Sequence, residues 1–350
     1  MPTPRHPAMS IKRLCFGAAL AALLSCCQWQ SDNALQANWK AYQARFVSED
    51  GRVLDTGNGN ISHSEGQGYG MIIAVKLNDP ETFARIWQWT SNNLQVREDG
   101  LFMWRRRPGT ALADEDKNNA SDGDIIIAWA LLEAASQWQQ PEYEQEAVKI
   151  LDAIKHKLIV RKDGLTLLLP GEYGFQSQAG VTLNLSYWVY PAFKVFAAKQ
   201  QGPVWDDLAA SGQTLLQQAR YGRWQLPPDW LQLSDGPTLT PAKTARFGYD
   251  AVRVPLYLAF AGIDNELLTA FANYWSYYQG YVPAWIDLQT SSMDADGASA
   301  GINAVKQLTL ATVNKTRSMT FKTIDATQDY YSATLLLLSQ LAYRQSLAQR

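Results

Sequence analysis

The sequence is poor in cysteine and histidine and contains no long run of basic residues. All three cysteines precede residue 28, so residues 28–350 can form neither a disulfide nor a cysteine-based metal site. Three histidines are too few for a histidine-rich metal site, and we expect no metal or other cofactor. The net charge is −2, so the chain lacks the positive potential that nucleic-acid binding usually needs.

Aromatic residues, in contrast, are abundant. The chain contains 13 Trp and 16 Tyr, and hydrophobic residues make up 47% of it. This composition supports a sizeable core and disfavours disorder. Most of the aromatic residues are expected in that core. The excess also suits a carbohydrate-binding cleft, because the C–H faces of sugar rings stack on amphipathic aromatic rings.

The first residues have the pattern of an export signal. A positively charged segment ends at Arg13, and the apolar run Leu14–Leu24 that follows is too short to span a bilayer permanently. Residues 1–27 are therefore predicted to be a signal peptide. The sequence around Cys26 resembles a lipoprotein processing site in which this cysteine is acylated, and an ordinary cleaved signal is the alternative. We expect a periplasmic or secreted protein, anchored to the outer membrane if Cys26 is lipidated.

The remainder of the chain reads as one all-α domain, residues 28–350. No linker rich in Pro, Gly or Ser divides it, and its apolar residues recur with helical spacing. The best strand candidate is Leu165–Leu169. Eleven helices suit a toroid in which inner and outer helices alternate, with an open cleft formed by the loops at one end. The predicted helices are Asn33–Phe46, Glu65–Leu77, Glu81–Leu94, Ile125–Trp138, Pro141–Leu158, Tyr187–Lys199, Pro203–Arg220, Ala245–Ala261, Asn265–Gln279, Gly301–Val313 and Ala326–Leu347.

Three acidic motifs lie where predicted loops meet predicted helices. The first, Ser64–Met71, carries Glu65 and three glycines within five positions. Each glycine costs a helix about 1 kcal/mol relative to alanine, which a structure tolerates where the backbone must approach a neighbour or ligand closely. Taken alone, Glu65 could equally be a carboxylate that stabilises the first helical turn.

The second motif, Asn118–Asp124, places Asp122 and Asp124 on either side of a glycine before a long apolar run. The two carboxylates could cap the helix or bind calcium. A calcium-binding EF-hand loop would need a glycine at its sixth position, where Ile127 stands, so calcium is disfavoured.

The third motif, Arg246–Pro255, contains Asp250 and Arg253, whose spacing of three places them on one helical face. By itself this pair reads as an ordinary ion pair.

Together, the three motifs resemble glycoside hydrolase family 8, and in particular the periplasmic cellulases encoded with bacterial cellulose synthase. The segment Ala120–Asp124 and the alanines, leucines and tryptophan that follow it match the family signature. Ser64–Gln67 and Tyr249–Arg253 occur in the family's order and approximate spacing. Asn184–Tyr187 resembles a further cleft motif, although Leu185 stands where proline is expected.

The resemblance implies an (α/α)6 barrel and an inverting mechanism, in which one carboxylic acid protonates the glycosidic oxygen and a second carboxylate activates water. Glu65 would be the acid, with a pKa raised by burial and by neighbouring carboxylates. Asp250 or Asp122 would be the base, and we favour Asp250. Asp122 would then hold the distorted sugar, and Tyr187 would steady the water or the ring. Trp104, Trp188 and Tyr69 are candidate stacking platforms. The predicted substrate-binding residues are Tyr69, Trp104, Asp124, Asn184, Tyr187, Tyr249 and Arg253.

The expected function is endo-acting hydrolysis of β-1,4-glucan. The resemblance alone implies cellulose as the substrate and a role during cellulose secretion, beside the synthase machinery. The alternatives within the same fold are chitosan, lichenan and xylan. A third hypothesis, a non-catalytic sugar-binding lipoprotein, predicts the loss of at least one acid, and Glu65, Asp122 and Asp250 are all present. We expect a monomer whose contact with a membrane is limited to the lipid anchor.

Overall fold

The computed structural model describes residues 32–235, 238–263, 266–278, 280–316 and 319–348. The predicted signal peptide, including Cys26, lies outside these residues. None of the helices in the described part of the chain is long and apolar enough to cross a membrane.

Helices dominate the described residues, in agreement with the predicted all-α class. Proline and aspartate residues explain where several helices begin. Pro80 is the first residue of one helix, which the side chain of Asp79 caps, and Pro141 is the first residue of another. The helices are α1 (32–46), α2 (Ser64–Lys76), α3 (Pro80–Asn93), α4 (Ser121–Trp138), α5 (Pro141–Lys157), α6 (Tyr190–Lys199), α7 (Val204–Gln218), α8 (Arg253–Phe260), α9 (Thr269–Tyr277), α10 (Ala300–Asn314) and α11 (Tyr330–Ala348).

Burial separates inner helices from outer ones. Fourteen of the 18 residues of α4 are buried, whereas only 4 of the 17 residues of the neighbouring α5 are buried, along one stripe. A helix that is buried on all sides belongs in the centre, and an amphipathic helix belongs on the surface. Contacts run from α2 to α4, α6, α8, α10 and α11 and back to α2, so six inner helices close a ring. Helices α3, α5, α7 and α9 pack outside this ring.

The strands are short and lie in the connections between helices. The hairpin of β3 (Ile159–Lys162) and β4 (Leu165–Leu168) confirms the predicted strand. A four-stranded antiparallel sheet was not predicted; it joins β5 (Gln176–Ser177), β6 (Gly180–Leu183), β7 (Leu231–Leu233) and β8 (Leu239–Pro241). The remaining pairs are β1 (Ser62–His63) with β2 (Arg105–Arg106) and β9 (Arg246–Phe247) with β10 (Ile286–Asp287).

Four predicted helices begin three to eight residues later than expected, and two of these delays concern the cleft. The predicted helix from Ala245 begins only at Arg253, because residues 246–247 form β9 and the following loop folds over a buried carboxylate. The predicted helix from Tyr187 begins at Tyr190, after a short 3-10 turn. In both places the apolar spacing continues through the loop, so hydrophobic periodicity alone extends the helix too far.

Candidate active site

The first turns of several inner helices meet at one end of the ring, and this end carries the acidic motifs. Glu65 lies in the first turn of α2, Asp122 in the first turn of α4, and Arg253 is the first residue of α8. Helix N-termini carry partial positive charge, so their convergence favours anionic side chains here. This arrangement places the residues of the three motifs, far apart in sequence, within one cluster.

Glycines allow α2 and α4 to approach closely. A Cβ atom at Gly123 would lie 2.2 Å from Ser64 Oγ and 2.7 Å from the backbone nitrogen of Glu65, and one at Gly68 would lie 2.9 Å from Ile126. All three distances are shorter than an ordinary van der Waals contact. The glycines of the two motifs therefore bring Asp122 beside Glu65.

Glu65 is held by a set of directed contacts. Arg253 donates a hydrogen bond from Nη1 to Oε1, and the Tyr69 hydroxyl donates to the same oxygen over 3.3 Å. His63 caps α2: its Nδ1 accepts the Gly66 N–H at 2.9 Å and lies 3.8 Å from Glu65 Oε2. The Glu65 side chain keeps 15% exposure, so it still faces the cleft.

Arg253 connects three carboxylates and is almost fully buried. Its Nη2 donates to Asp250 Oδ1 at 3.0 Å and to Ser186 Oγ at 2.8 Å, and lies 3.6 Å from Asp122 Oδ2. One guanidinium therefore fixes the relative positions of Glu65 and Asp250 through different nitrogens. A planar fork suits this task because its donors point in fixed directions.

The predicted raised pKa of Glu65 is wrong for the unliganded protein. Burial raises the pKa of Glu65, but Arg253, His63 and hydrogen bonds from Asp122 and Tyr69 outweigh burial and bring the pKa below its usual value. Burial, and then the charge of Glu65, raise the pKa of Asp122 well above its ordinary value. These opposite directions favour a proton on Asp122 over one on Glu65.

Asp250 is the more exposed of the two candidate bases, with 29% of its side chain accessible against 4% for Asp122. Burial raises the pKa of Asp250; Arg253 opposes this effect, and the negative charges of Asp229 and Glu65 add to it. An accessible carboxylate whose pKa lies above its ordinary value is a stronger base for a water molecule in the cleft.

Three of the predicted binding residues present side chains to the cleft end. Tyr249 is 48% exposed and its ring contacts the ring of Tyr331, and Tyr187 and Trp104 are partly exposed. Trp104 is fixed by a 3.0 Å hydrogen bond from its indole to Asp116 and by the Arg105 guanidinium, 4.2 Å from the ring centroid. These rings can stack on sugars.

Four of the predicted contact residues are buried and cannot touch a substrate directly. The rings of Tyr69 and Trp188 are at most 1% exposed, so neither is a stacking platform. Asp124 accepts hydrogen bonds from Phe102 N–H and Asn119 inside the protein. Asn184 accepts hydrogen bonds from the backbone and hydroxyl groups of Ser186 and thereby orients the partner of Arg253. These residues support the site from beneath.

Asp229 and Trp230 also contact the site and were missed in the sequence. The Trp230 indole donates to Asp250 Oδ2 at 3.0 Å, and Asp229 Oδ1 accepts three backbone N–H groups of the Asp250 loop. No motif surrounds either residue, and the 20 residues that separate Trp230 from Asp250 hide their contact. Within the described residues, no cluster of His, Cys, Asp or Glu is arranged to hold a metal ion.

Comparison with known proteins agrees with this geometry. The family model described as glycosyl hydrolases family 8 matches residues 12–345. An endoglucanase of Cellulomonas uda is 38% identical over 83% of this chain and 81% of its own, and a probable endoglucanase of Novacetimonas hansenii is 35% identical over 95% and 98%. The solved endo-β-1,4-glucanase of Acetobacter xylinum superposes with a TM-score of 0.82, at 37% identity, over 89% of this chain and 98% of its own. The chain therefore belongs to glycoside hydrolase family 8 and has its (α/α)6 barrel fold.

Proposed function

We propose that this protein cleaves β-1,4-glucan chains such as cellulose internally and with inversion, using Glu65 as the acid and Asp250 as the base. The observation that carries the proposal is the Arg253 bridge, which holds both carboxylates in fixed positions at the cleft while each keeps an accessible face. The endoglucanase names of the most similar relatives support the substrate.

The proton of the acidic pair explains how Glu65 can serve as the acid. The directions of the two pKa shifts favour a proton on Asp122, which lies beside Glu65. As a glycosidic oxygen approaches, the proton on Asp122 passes to Glu65, and Glu65 donates it to that oxygen as the glycosidic bond breaks. On the opposite face of the sugar, Asp250 accepts a proton from the attacking water, which inverts the anomeric centre. Asp122 also remains close enough to hold the distorted sugar.

The proposal is tested with carboxymethylcellulose and three variants. We expect Glu65→Gln and Asp250→Asn to lower the rate of reducing-end release by about a thousandfold, because each removes one proton transfer. Glu142→Gln, an exposed carboxylate on the outer helix α5, should retain normal activity. Normal activity in either cleft variant, or no release from any β-glucan by the wild type, would overturn the assignment.

Two further measurements define the reaction. A fall in solution viscosity that precedes the release of reducing ends indicates internal cleavage, and NMR of the first products should show the α-anomer if the mechanism inverts. The same assay with lichenan, xylan and chitosan distinguishes the alternative substrates of this fold. If kcat/KM for one of these polymers exceeds the value for cellulose, that polymer is the substrate and the proposed mechanism is unchanged.

We also propose that residues 1–27 direct export to the periplasm or beyond, where the enzyme can meet cellulose as it is secreted. Acylation of Cys26 would anchor it to the outer membrane. The charge and apolar pattern of this segment supports export. Incorporation of labelled palmitate that disappears in Cys26→Ala identifies the lipidated form, and a soluble, unlabelled protein in the periplasm identifies the ordinary signal. Unchanged cellulose output in a deletion strain would contradict a role in secretion.

A further inference from the structure

Asp229 and Trp230 enclose Asp250 from two sides. The Trp230 indole N–H is 3.0 Å from Asp250 Oδ2, while Arg253 binds the other oxygen, Oδ1, at 3.0 Å. Both carboxylate oxygens therefore have one fixed donor each. A carboxylate held in this way cannot rotate about its terminal bond without breaking a hydrogen bond to a rigid side chain.

Asp229 fixes the backbone of the same loop. Its Oδ1 accepts the N–H groups of Gly248, Asp250 and Ala251 at 2.9, 3.2 and 2.9 Å, and its own N–H donates to the Arg246 carbonyl at 2.7 Å. A Cβ atom at Gly248 would lie 2.8 Å from Asp229 Oδ2, so the loop can close over this carboxylate only with glycine there. The Asp229 side chain is only 6% exposed, which makes these bonds inaccessible to competing water.

Trp230 is itself held rigidly. Its ring stacks on Phe175 with 5.9 Å between centroids and 9° between planes, and the ring of Tyr187 packs against it edge-on. The ammonium group of Lys243 lies 4.5 Å from the ring centroid. The indole N–H therefore points at Asp250 from a fixed platform, as a preorganised catalytic site requires.

We propose that Asp229 and Trp230 are a positioning pair that presents Asp250 to the attacking water, Asp229 by fixing the loop and Trp230 by fixing the carboxylate. This inference rests on the proposed role of Asp250 as the base. The pair explains why the base is on a loop before α8 rather than on the helix: two adjacent residues of another segment supply the rigidity that a helix would give. Asp229 is paired with Arg246 at 3.3 Å, and its negative charge beside Asp250 still makes Asp250 a stronger base.

The first test is Trp230→Phe, which keeps an aromatic ring and removes the N–H. We expect kcat to fall about tenfold to a hundredfold, because small misplacements of a reacting group cost rates of this size, while KM changes less than about twofold, since stacking is retained. The matched control is Trp138→Phe, which removes an indole hydrogen bond of 2.8 Å to Asn78 at the far end of α4. It should leave kcat unchanged.

The second test is Asp229→Asn, which removes the charge and keeps an oxygen that can accept the three N–H groups. We expect the acidic limb of the kcat/KM profile to move to lower pH, because loss of the Asp229 charge makes Asp250 easier to ionise. A merely structural residue would lower activity without moving this limb. Unchanged kcat in Trp230→Phe, or an unmoved limb in an active Asp229→Asn, would overturn the positioning pair. Full activity in Asp250→Asn would instead overturn the base and the proposed function with it.

Discussion

Two ionic clusters in this protein, one partly buried and one almost fully buried, use an arginine to join carboxylates, and their charge balance differs. In the first, Arg97 pairs with Asp99 and Glu172, and Lys157 pairs with the same two acids at 2.9 and 2.8 Å. In the second, Arg253 faces Glu65, Asp122 and Asp250. The first cluster thus has two cations for two anions, while the second has one cation for three carboxyl groups.

The pKa directions follow this balance. In the cluster around Arg97, hydrogen bonds from Arg97 and Lys157 outweigh burial, and the pKa values of Asp99 and Glu172 both lie below their ordinary range. In the cluster around Arg253, burial raises the pKa values of Asp122 and Asp250, and only Glu65 has a lowered pKa. The matched cluster keeps its acids ionised, whereas the mismatched one favours a proton on a carboxyl group.

The comparison is tested most strongly by replacing each arginine with lysine. Lysine keeps the charge but cannot bridge two carboxylates with fixed geometry. We expect Arg253→Lys to lower kcat about a hundredfold or more, because no single side chain then fixes Glu65 and Asp250 relative to each other. Arg97→Lys should keep kcat within about twofold and lower the free energy of unfolding by about 1–2 kcal/mol. Steady-state kinetics and denaturant unfolding of both variants provide the two measurements.

The opposite pattern would contradict the distinction between the clusters. If Arg97→Lys lost as much activity as Arg253→Lys while remaining folded, the cluster around Arg97 would belong to the catalytic machinery. If Arg253→Lys were fully active, the bridge that carries the proposed function would be dispensable. The far-ultraviolet circular dichroism of each variant confirms that a loss of activity is not a loss of fold.

The two clusters also differ in how far the sequence predicts them. Glu65, Asp122 and Asp250 each lie in a short motif with glycine nearby, because close approach of α2, α4 and the loop before α8 demands glycine at those positions. Local spacing therefore indicates the site. The partners Arg97 and Glu172 are 75 residues apart, and Trp230 is 20 residues from Asp250, without any local pattern. Only the closed ring of helices brings such residues together.

The helices were predictable for a related reason. Caps such as Asp79 and N-terminal prolines such as Pro141 act within one turn, so they are visible in the sequence. The start of α8 could not be predicted in this way. The Asp229 carboxylate accepts hydrogen bonds from the N–H groups of residues 248, 250 and 251 and holds these residues in a loop. Tertiary hydrogen bonds here override a helical apolar pattern, and they do so in the loop that carries Asp250.

The two clusters should also differ, by a smaller amount, in how the free energy of unfolding depends on pH. Asp99 has a lowered pKa, so its contribution to stability is present above the ordinary pKa and is lost as the pH falls. Asp122 has a raised pKa, so the stability that its proton provides is present at low pH and is lost as the pH rises through that raised pKa. Asp99→Asn should lower the free energy of unfolding by about 1–3 kcal/mol at pH 7 and by less at pH 4. Asp122→Asn should become more stable relative to the wild type as the pH rises above about 4, the ordinary pKa of an aspartate.

Denaturant unfolding at several pH values gives both differences directly. The sign of each slope matters more than its size, because the two substitutions are chemically identical and differ only in the cluster they enter. Slopes of the same sign for Asp99→Asn and Asp122→Asn would mean that the charge imbalance around Arg253 does not retain a proton in the folded protein.

Asp124 provides the finest test, because it lies between the two clusters and pairs with neither arginine. Burial raises its pKa to about 7, and hydrogen bonds from Asn119 and Phe102 only partly oppose this effect. The folded state therefore binds this proton more tightly than the unfolded chain, and the associated stability is lost as the pH rises from about 4 to about 7. Asp124→Asn does not titrate and disturbs the bond from Asn119, so it should be less stable than the wild type at pH 4. The gap should narrow toward pH 7. A gap that is constant with pH would show that Asp124 has no raised pKa in the folded protein and that its hydrogen bonds fully offset its burial.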